Sequence, residues 1–207
     1  YTFLLHAMAD SYGGLEHHNS TALVCKRKDL FPELSKDGYT QLLGLISHEY
    51  FHTWNVKYMR LAEFADYDYS QENYTQLLWF FEGFTSYYDD LILRRTGLLD
   101  DATYLKLLAK TINNVAQTPG RAVETVAQSS FNAWIKYYYP DANTPNATVN
   151  YYTKGALVAL CLDLMLRKEK QTTLDEVMRS LWQRCDHHPV AGTMTEHDLQ
   201  AVLHQLS

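Results

Sequence analysis

One stretch of helical periodicity carries three ionisable side chains within an apolar pattern. Apolar and aromatic residues recur every three or four positions from Tyr39 to Trp54, which predicts a helix over 39–55 with Ser35 or Asp37 as its cap. His48, Glu49 and His52 lie in the second half of that helix. Burying two imidazoles and a carboxylate is unfavourable unless they have partners. The folded chain is therefore expected to provide a ligand or a partner for these three side chains.

The spacing of the two histidines predicts a metal site. Positions four apart lie on one face of a helix, so His48 and His52 can direct both imidazoles at one ion. Zinc binds neutral imidazole, and catalytic zinc sites combine three protein ligands with an open position. Glu49 is rotated by about 100 degrees from His48 and is predicted to act as a general base instead of a ligand. The alternative is a helix surface in which His-Glu-x-x-His occurs by chance.

A second apolar helix, predicted over 75–95, supplies the candidate third ligand. Glu82 is flanked by aromatic residues: Trp79, Phe80, Phe81 and Phe84. An ionised carboxylate in such surroundings needs an ion or a strong donor. We therefore expect Glu82 to complete the metal site, the alternative being that it caps a helix or pairs with an arginine.

The remaining pattern predicts an α+β fold with a small β lobe (1–37) followed by a mainly helical lobe (38–207). Strand-like runs occupy 1–7 and 20–27, separated by turn signals. Five further helices are predicted, over 100–117, 121–135, 151–168, 174–184 and 195–206. An acidic connection covers 63–74, and a loop with two prolines covers 137–150.

Composition excludes several classes of function. The net charge is −6 and the basic residues are scattered, which argues against nucleic-acid binding. The longest apolar stretch, 155–166, is interrupted by Asp163 and is too short for a membrane span. Three widely separated cysteines predict neither a disulfide framework nor a thiolate metal site. We expect a soluble protein, cytoplasmic or periplasmic, and the oligomeric state is left open.

Four motifs in order resemble a known peptidase family. HEYFH followed by WFFEGF is similar to the gluzincin metallopeptidases, and GGLEHHNST, HEYFHTWNVKYMR, TPGRAVETVAQSSFNAWIKYY and VNYYTKGALVALCLDLMLR together resemble the PDZ-containing glycyl aminopeptidases. The resemblance implies a thermolysin-like zincin domain, related to aminopeptidase N, with one Zn²⁺ held by His48, His52 and Glu82. It also implies that 1–207 is a single catalytic-domain fragment, without the N-terminal β domain and C-terminal PDZ domain of that family. The acidic connection lengthens the gap between His52 and Glu82 relative to better-known gluzincins, and its role is open.

The resemblance also implies substrate-binding and catalytic residues. Gly13 and Gly14 are expected to let an extended peptide approach a strand, and Glu16 to bind the protonated α-amine of the substrate. His17 departs from the asparagine of the related exopeptidase motif, and the alternative for 11–19 is an ordinary tight turn. In YYTKG, Tyr152 is expected to donate a hydrogen bond to the oxyanion. The adjacent Tyr151 is the other tyrosine in this motif and is not expected to have this role.

These expectations together predict a zinc aminopeptidase that removes small first residues, glycine or alanine, from peptides with a free N-terminus. A zinc endopeptidase of the same fold is the first alternative, in which Glu16 holds no amine. A non-catalytic peptide-binding relative is the second, and it predicts a damaged set of site residues.

Overall fold

The computed structural model describes residues 1–186 and 192–206. A small N-terminal sheet is followed by helices, which confirms the predicted α+β class. Residues 187–191 and 207, which belong to the predicted helical lobe, lie outside the described residues.

The N-terminal sheet has three strands in the order β1-β3-β2, with β1 parallel and β2 antiparallel to β3. A second pair, β4 and β5, is short and parallel. The strands are β1 (Thr2–Met8), β2 (Gly13–Glu16), β3 (Ser20–Lys26), β4 (Arg60–Leu61) and β5 (Thr193–Met194). The sequence predicted β1 and β3 and placed 13–16 in a turn region. Pairing of the Gly13–Glu16 backbone with Thr21–Val24 makes this segment a strand despite its two glycines.

The described residues also contain eight α-helices. They are α1 (Lys36–Phe51), α2 (Leu78–Arg95), α3 (Asp101–Gln117), α4 (Val126–Phe131), α5 (Thr144–Ala147), α6 (Tyr151–Met165), α7 (Leu174–Asp186) and α8 (Glu196–Leu206). The helix predicted over 121–135 is wrong in its bounds, because a 3₁₀ turn (Pro119–Ala122) precedes α4 and a π-helical turn (Ala133–Tyr137) follows it. A capping box at Thr125 fixes the start of α4.

The structure divides into two compact units. The first comprises Tyr1–Lys57 and Tyr88–Leu108, and the second comprises Tyr58–Tyr87 and Ala109–Ser207. Helices α2 and α3 each contribute residues to both. The division into lobes 1–37 and 38–207 stays a prediction.

In the first unit, α1 packs against β2 and β3. Leu23 and Cys25 on β3 and Leu42 and Leu45 on α1 are buried, so alternate residues of the strand meet one face of the helix. The predicted cap is confirmed, since Ser35 Oγ accepts a hydrogen bond from the Gly38 amide at 3.2 Å. These contacts fix the helix that carries the two histidines.

In the second unit, α2 and α6 approach with almost no space between their backbones. A Cβ added to Gly83 would lie 2.5 Å from Gly155 Cα, and one added to Gly155 would lie 2.3 Å from the Trp79 carbonyl oxygen. Phe80, Phe81 and Phe84 on α2 are completely buried. The glycine pair therefore sets the separation of the helices that carry Glu82 and Tyr152.

Within the described residues, none of the helices has both the length and the apolar character needed to cross a bilayer. Cys25, Cys161 and Cys185 are free thiols.

Candidate metal centre

His48 and His52 lie in the last turn and at the C-cap of α1. Their ring centroids are 4.7 Å apart, and the two ring planes are nearly perpendicular. His52 is buried and the side chain of His48 is 13% exposed. The two imidazoles therefore meet as the four-residue spacing predicted.

Each imidazole is oriented by a partner at Nδ1. His48 Nδ1 lies 3.1 Å from Asp89 Oδ2, and His52 Nδ1 lies 2.9 Å from the Asn55 carbonyl oxygen. A partner at one ring nitrogen fixes the tautomer and directs the other nitrogen, which is how metal-binding histidines are held in proteins. Both histidines are thus arranged to present Nε2.

Glu82 joins the histidine pair. One ligand atom from each of His48, His52 and Glu82 lies within 4.8 Å of the others, and these three residues form a group that could hold a metal ion. Glu82 is seven residues before Asp89 on α2, two helical turns away on the same face. One face of α2 therefore provides both the candidate ligand and the carboxylate that orients His48.

Glu49 is buried, at 5% exposure, and lies directly against β2. A Cβ added to Gly14 would lie 2.2 Å from Glu49 Oε1, a distance no real side chain could keep. Gly14 therefore makes room for the Glu49 carboxylate. A Cβ at Gly13 would meet only Val24 Cγ2 at 3.7 Å, an ordinary contact.

The surroundings of His48 are acidic. Asp89 and Asp90 are adjacent on α2, and burial, together with the charge of Asp89, raises the pKa of Asp90 to about 7. Burial also raises the pKa of Asp89, against the opposing effect of its bond to His48. Two imidazoles among partly buried carboxylates are suited to bind a divalent cation.

Tyr152 and Glu82 belong to the same neighbourhood in the second unit. Burial raises the pKa of the Tyr152 phenol, and the nearby Glu82 carboxylate adds to the shift. The phenol is therefore protonated and able to donate at neutral pH. The adjacent Tyr151 is 1% exposed and belongs to the core, whereas Tyr152 is partly exposed.

Glu16, at the end of β2, is ion-paired. Its Oε1 accepts a hydrogen bond from Lys57 Nζ at 2.9 Å, and the side chains of Glu16 and Lys57 are 21% and 26% exposed. The carboxylate is thus set to bind an ammonium group, and in this structure the group is a lysine of the same chain.

The sequence analysis missed Asp89, Asn55 and Lys57. Asp89 carries a signal that could have identified it, because a carboxylate two turns after Glu82 on an apolar helix shares the face of the ligand. Asn55 acts through its backbone carbonyl, which no side-chain pattern reveals. Lys57 reaches Glu16 only through the tertiary fold.

Comparison with known proteins places these features in a family. The model of the M61 glycyl aminopeptidase family matches residues 41–158, which include His48, Glu49, His52, Glu82 and Tyr152 but not Glu16. None of the curated protein sequences matches this chain.

The chain is also similar to a crystal structure of an aminopeptidase N family protein from Idiomarina loihiensis. The sequences are 45% identical, the TM-score is 0.88, and the match covers 92% of this chain and 33% of that one. The chain spans about a third of the length of that structure. By the match of the family model over more than half of its residues, the chain belongs to the M61 glycyl aminopeptidases, a gluzincin-like peptidase family.

Proposed function

We propose that this chain carries the catalytic centre of a zinc-dependent aminopeptidase that removes small first residues, glycine or alanine, from peptides. The observation that carries the proposal is the group of His48, His52 and Glu82, whose ligand atoms lie within 4.8 Å of one another. Two imidazoles and one carboxylate are the protein ligands of a catalytic zinc, which keeps a further position open. The Nδ1 contacts of both histidines support the same assignment.

When bound by this group, zinc would polarise the scissile carbonyl and lower the pKa of a water molecule. Glu49 then acts as the general base that takes a proton from the attacking water and returns it to the departing amine. Burial against Gly14 holds its carboxylate in one place, and this placement favours proton transfer over a fixed short distance.

Tyr152 donates its phenolic proton to the oxyanion that develops on the substrate carbonyl. A raised pKa keeps this donor protonated over the neutral range, and a preorganised donor of this kind contributes about 2.7 to 4 kcal/mol to catalysis. The close crossing of α2 and α6 at Gly83 and Gly155 supports the placement of the phenol beside Glu82.

Glu16 receives the protonated α-amine of the substrate and so limits cleavage to the first residue. The peptide binds in extended form near the Gly13–Glu16 strand. The preference for a small first residue comes from the family to which the chain belongs, whose name describes a glycyl aminopeptidase.

Elemental analysis of the purified protein, paired with the Glu49→Gln variant, tests the proposal. We expect about one zinc per chain in both proteins, with hydrolysis of glycyl and alanyl peptides lost in the variant. A protein that holds no zinc and cleaves none of these peptides would favour a non-catalytic peptide-binding relative, whereas a variant that keeps full activity would contradict the role of Glu49.

A zinc endopeptidase is the second candidate, because Glu16 is already paired with Lys57 in this structure. The two candidates differ in their response to a blocked N-terminus. An aminopeptidase loses turnover when the peptide is N-acetylated, whereas an endopeptidase cleaves acetylated and free peptides alike.

A further inference from the structure

The residue that pairs with Glu16 comes from a turn that is bonded to a candidate metal ligand. The Lys57 amide donates to the His52 carbonyl oxygen at 3.0 Å, and the Asn55 carbonyl accepts from His52 Nδ1 at 2.9 Å. His52 is therefore held on both its backbone and its side chain by the segment that ends at Lys57. The Lys57 backbone is therefore held next to a candidate metal ligand, while its flexible side chain extends to Glu16.

The same turn contains an unusual backbone conformation. Val56, between Asn55 and Lys57, has a φ of 148°. A β-branched residue at positive φ is strained and persists only where the surrounding contacts impose it. Asn55 before it is completely buried, and Lys57 after it is paired with Glu16. The strained residue therefore directly precedes the lysine that pairs with Glu16.

We propose that Lys57 is a specificity-determining residue, which occupies the ammonium position on Glu16 until the α-amine of a substrate replaces it. This inference rests on the proposed role of Glu16 in the aminopeptidase. Two ammonium groups repel each other on one partly buried carboxylate, so the incoming amine competes with Lys57. A charged amine can replace the lysine as the ionic partner of Glu16.

A blocked N-terminus cannot make this exchange. An acetylated peptide has no positive charge, and displacing Lys57 for it would leave the Glu16 carboxylate without a charged partner. Lys57 therefore disfavours the binding of acetylated peptides, and it moderately weakens the binding of peptides with a free N-terminus. Such a device gives selectivity through a penalty on the wrong ligand.

Binding of glycinamide, a small protonated amine, tests the exchange. Calorimetry would use the zinc-loaded full-length protein carrying Glu49→Gln, in which hydrolysis is blocked. We expect Lys57→Met to bind glycinamide about fivefold more tightly than this parent, the factor expected for loss of a competing ion pair. Lys106→Met, which removes an exposed lysine paired with Asp37 at 3.2 Å, is the control and should bind as the parent does.

The Glu16→Gln variant separates this inference from the proposed function. If Glu16 binds the amine, this variant weakens glycinamide binding, and adding Lys57→Met to it gives no further change. Unchanged binding in Glu16→Gln would overturn both the role of Glu16 and the exchange. Weakened binding in Glu16→Gln together with equal or weaker binding in Lys57→Met would overturn the exchange alone.

A chemical measurement on the unsubstituted protein covers the case in which Lys57→Met fails to fold. N,N-dimethylglycinamide is protonated but is not acylated, so a short pulse of an acetylating reagent can be applied in its presence. We expect acetylation of Lys57, read by mass spectrometry, to become several-fold faster when this amine is added, with Lys106 unchanged. An unchanged rate at Lys57 under saturating amine would overturn the proposal.

Discussion

Gly14 and Glu49 show how a single missing side chain positions a candidate catalytic group. The glycine backbone lies where the carboxylate of Glu49 needs space, and a Cβ at Gly14 would lie 2.2 Å from Oε1. Gly13, one position earlier, faces only Val24 at an ordinary contact distance. The two glycines of the motif therefore have different steric surroundings, and only Gly14 is required by the contact with Glu49.

Alanine substitutions at Gly13 and Gly14 should affect stability to different extents. We expect Gly14→Ala to displace Glu49 and to lower the free energy of unfolding by about 1–3 kcal/mol, as overpacking does, with a large loss of peptidase activity. Gly13→Ala should leave the free energy of unfolding within about 0.5 kcal/mol of the original, because its new methyl group has room. Denaturant unfolding of both variants is the measurement, and equal destabilisation by the two would contradict the contact with Glu49.

At the scale of elements, the crossing of α2 and α6 relates Tyr152 to Glu82. Gly155 lies one turn after Tyr152, and Gly83 directly follows Glu82. The two glycine backbones are in contact, and the Glu82 carboxylate is near enough to Tyr152 to add to the raised pKa of its phenol. The Tyr-x-Lys-Gly pattern thus combines a candidate catalytic side chain with the small residue that allows its helix to approach.

Gly155→Ala tests this crossing through the sign of its effect. In an open helix, alanine is more favourable than glycine by about 0.8–1.0 kcal/mol, so an unhindered site would be stabilised. We expect destabilisation instead, by about 1–3 kcal/mol, because the new Cβ would meet the Trp79 carbonyl oxygen at 2.3 Å. Thermal unfolding decides the sign, and a stabilised variant would show that the helices can separate freely. Activity should fall together with stability if the crossing positions Tyr152.

Local patterns predicted the elements better than their connections. Helical period revealed α1, α2 and α6, and the cost of burying charge identified His48, His52 and Glu82 as a group. The strand at Gly13–Glu16 was missed because its glycines favour a turn, and only pairing with β3 makes it extended. Lys57 was missed for the same reason, since its partner is distant in the sequence and its turn contains a strained valine. Tertiary contacts decide these features, and no short window contains them.

At the scale of the whole molecule, one buried carboxylate joins four segments of the second unit. Asp163 on α6 accepts hydrogen bonds from Tyr87 on α2 at 2.7 Å, from Arg167 in the next turn at 2.8 Å and from the Leu174 amide of α7 at 2.8 Å. Burial alone would raise its pKa, but the bonds outweigh burial and hold the pKa of Asp163 below its ordinary value of 3.8. The charged carboxylate therefore stabilises the fold.

The stability that Asp163 contributes should depend on pH in a defined direction. Because its pKa is lower in the folded than in the unfolded state, the contribution is complete above the ordinary value of 3.8 and is lost as the pH falls through the lower, folded value. We expect Asp163→Asn to lower the free energy of unfolding by about 1–3 kcal/mol at neutral pH. Below pH 3.8, the free energies of unfolding of the wild type and the variant should converge steadily. Urea unfolding of metal-free protein over a pH series measures the difference without a contribution from zinc release. Glu176→Gln is the matched control, since this glutamate pairs with Arg179 at the exposed surface, where solvent screens the ion pair, and its loss should change the free energy of unfolding much less than the loss of Asp163 does. A difference between wild type and Asp163→Asn that stays constant down to strongly acidic pH would show that the buried carboxylate owes its effect to shape and not to charge.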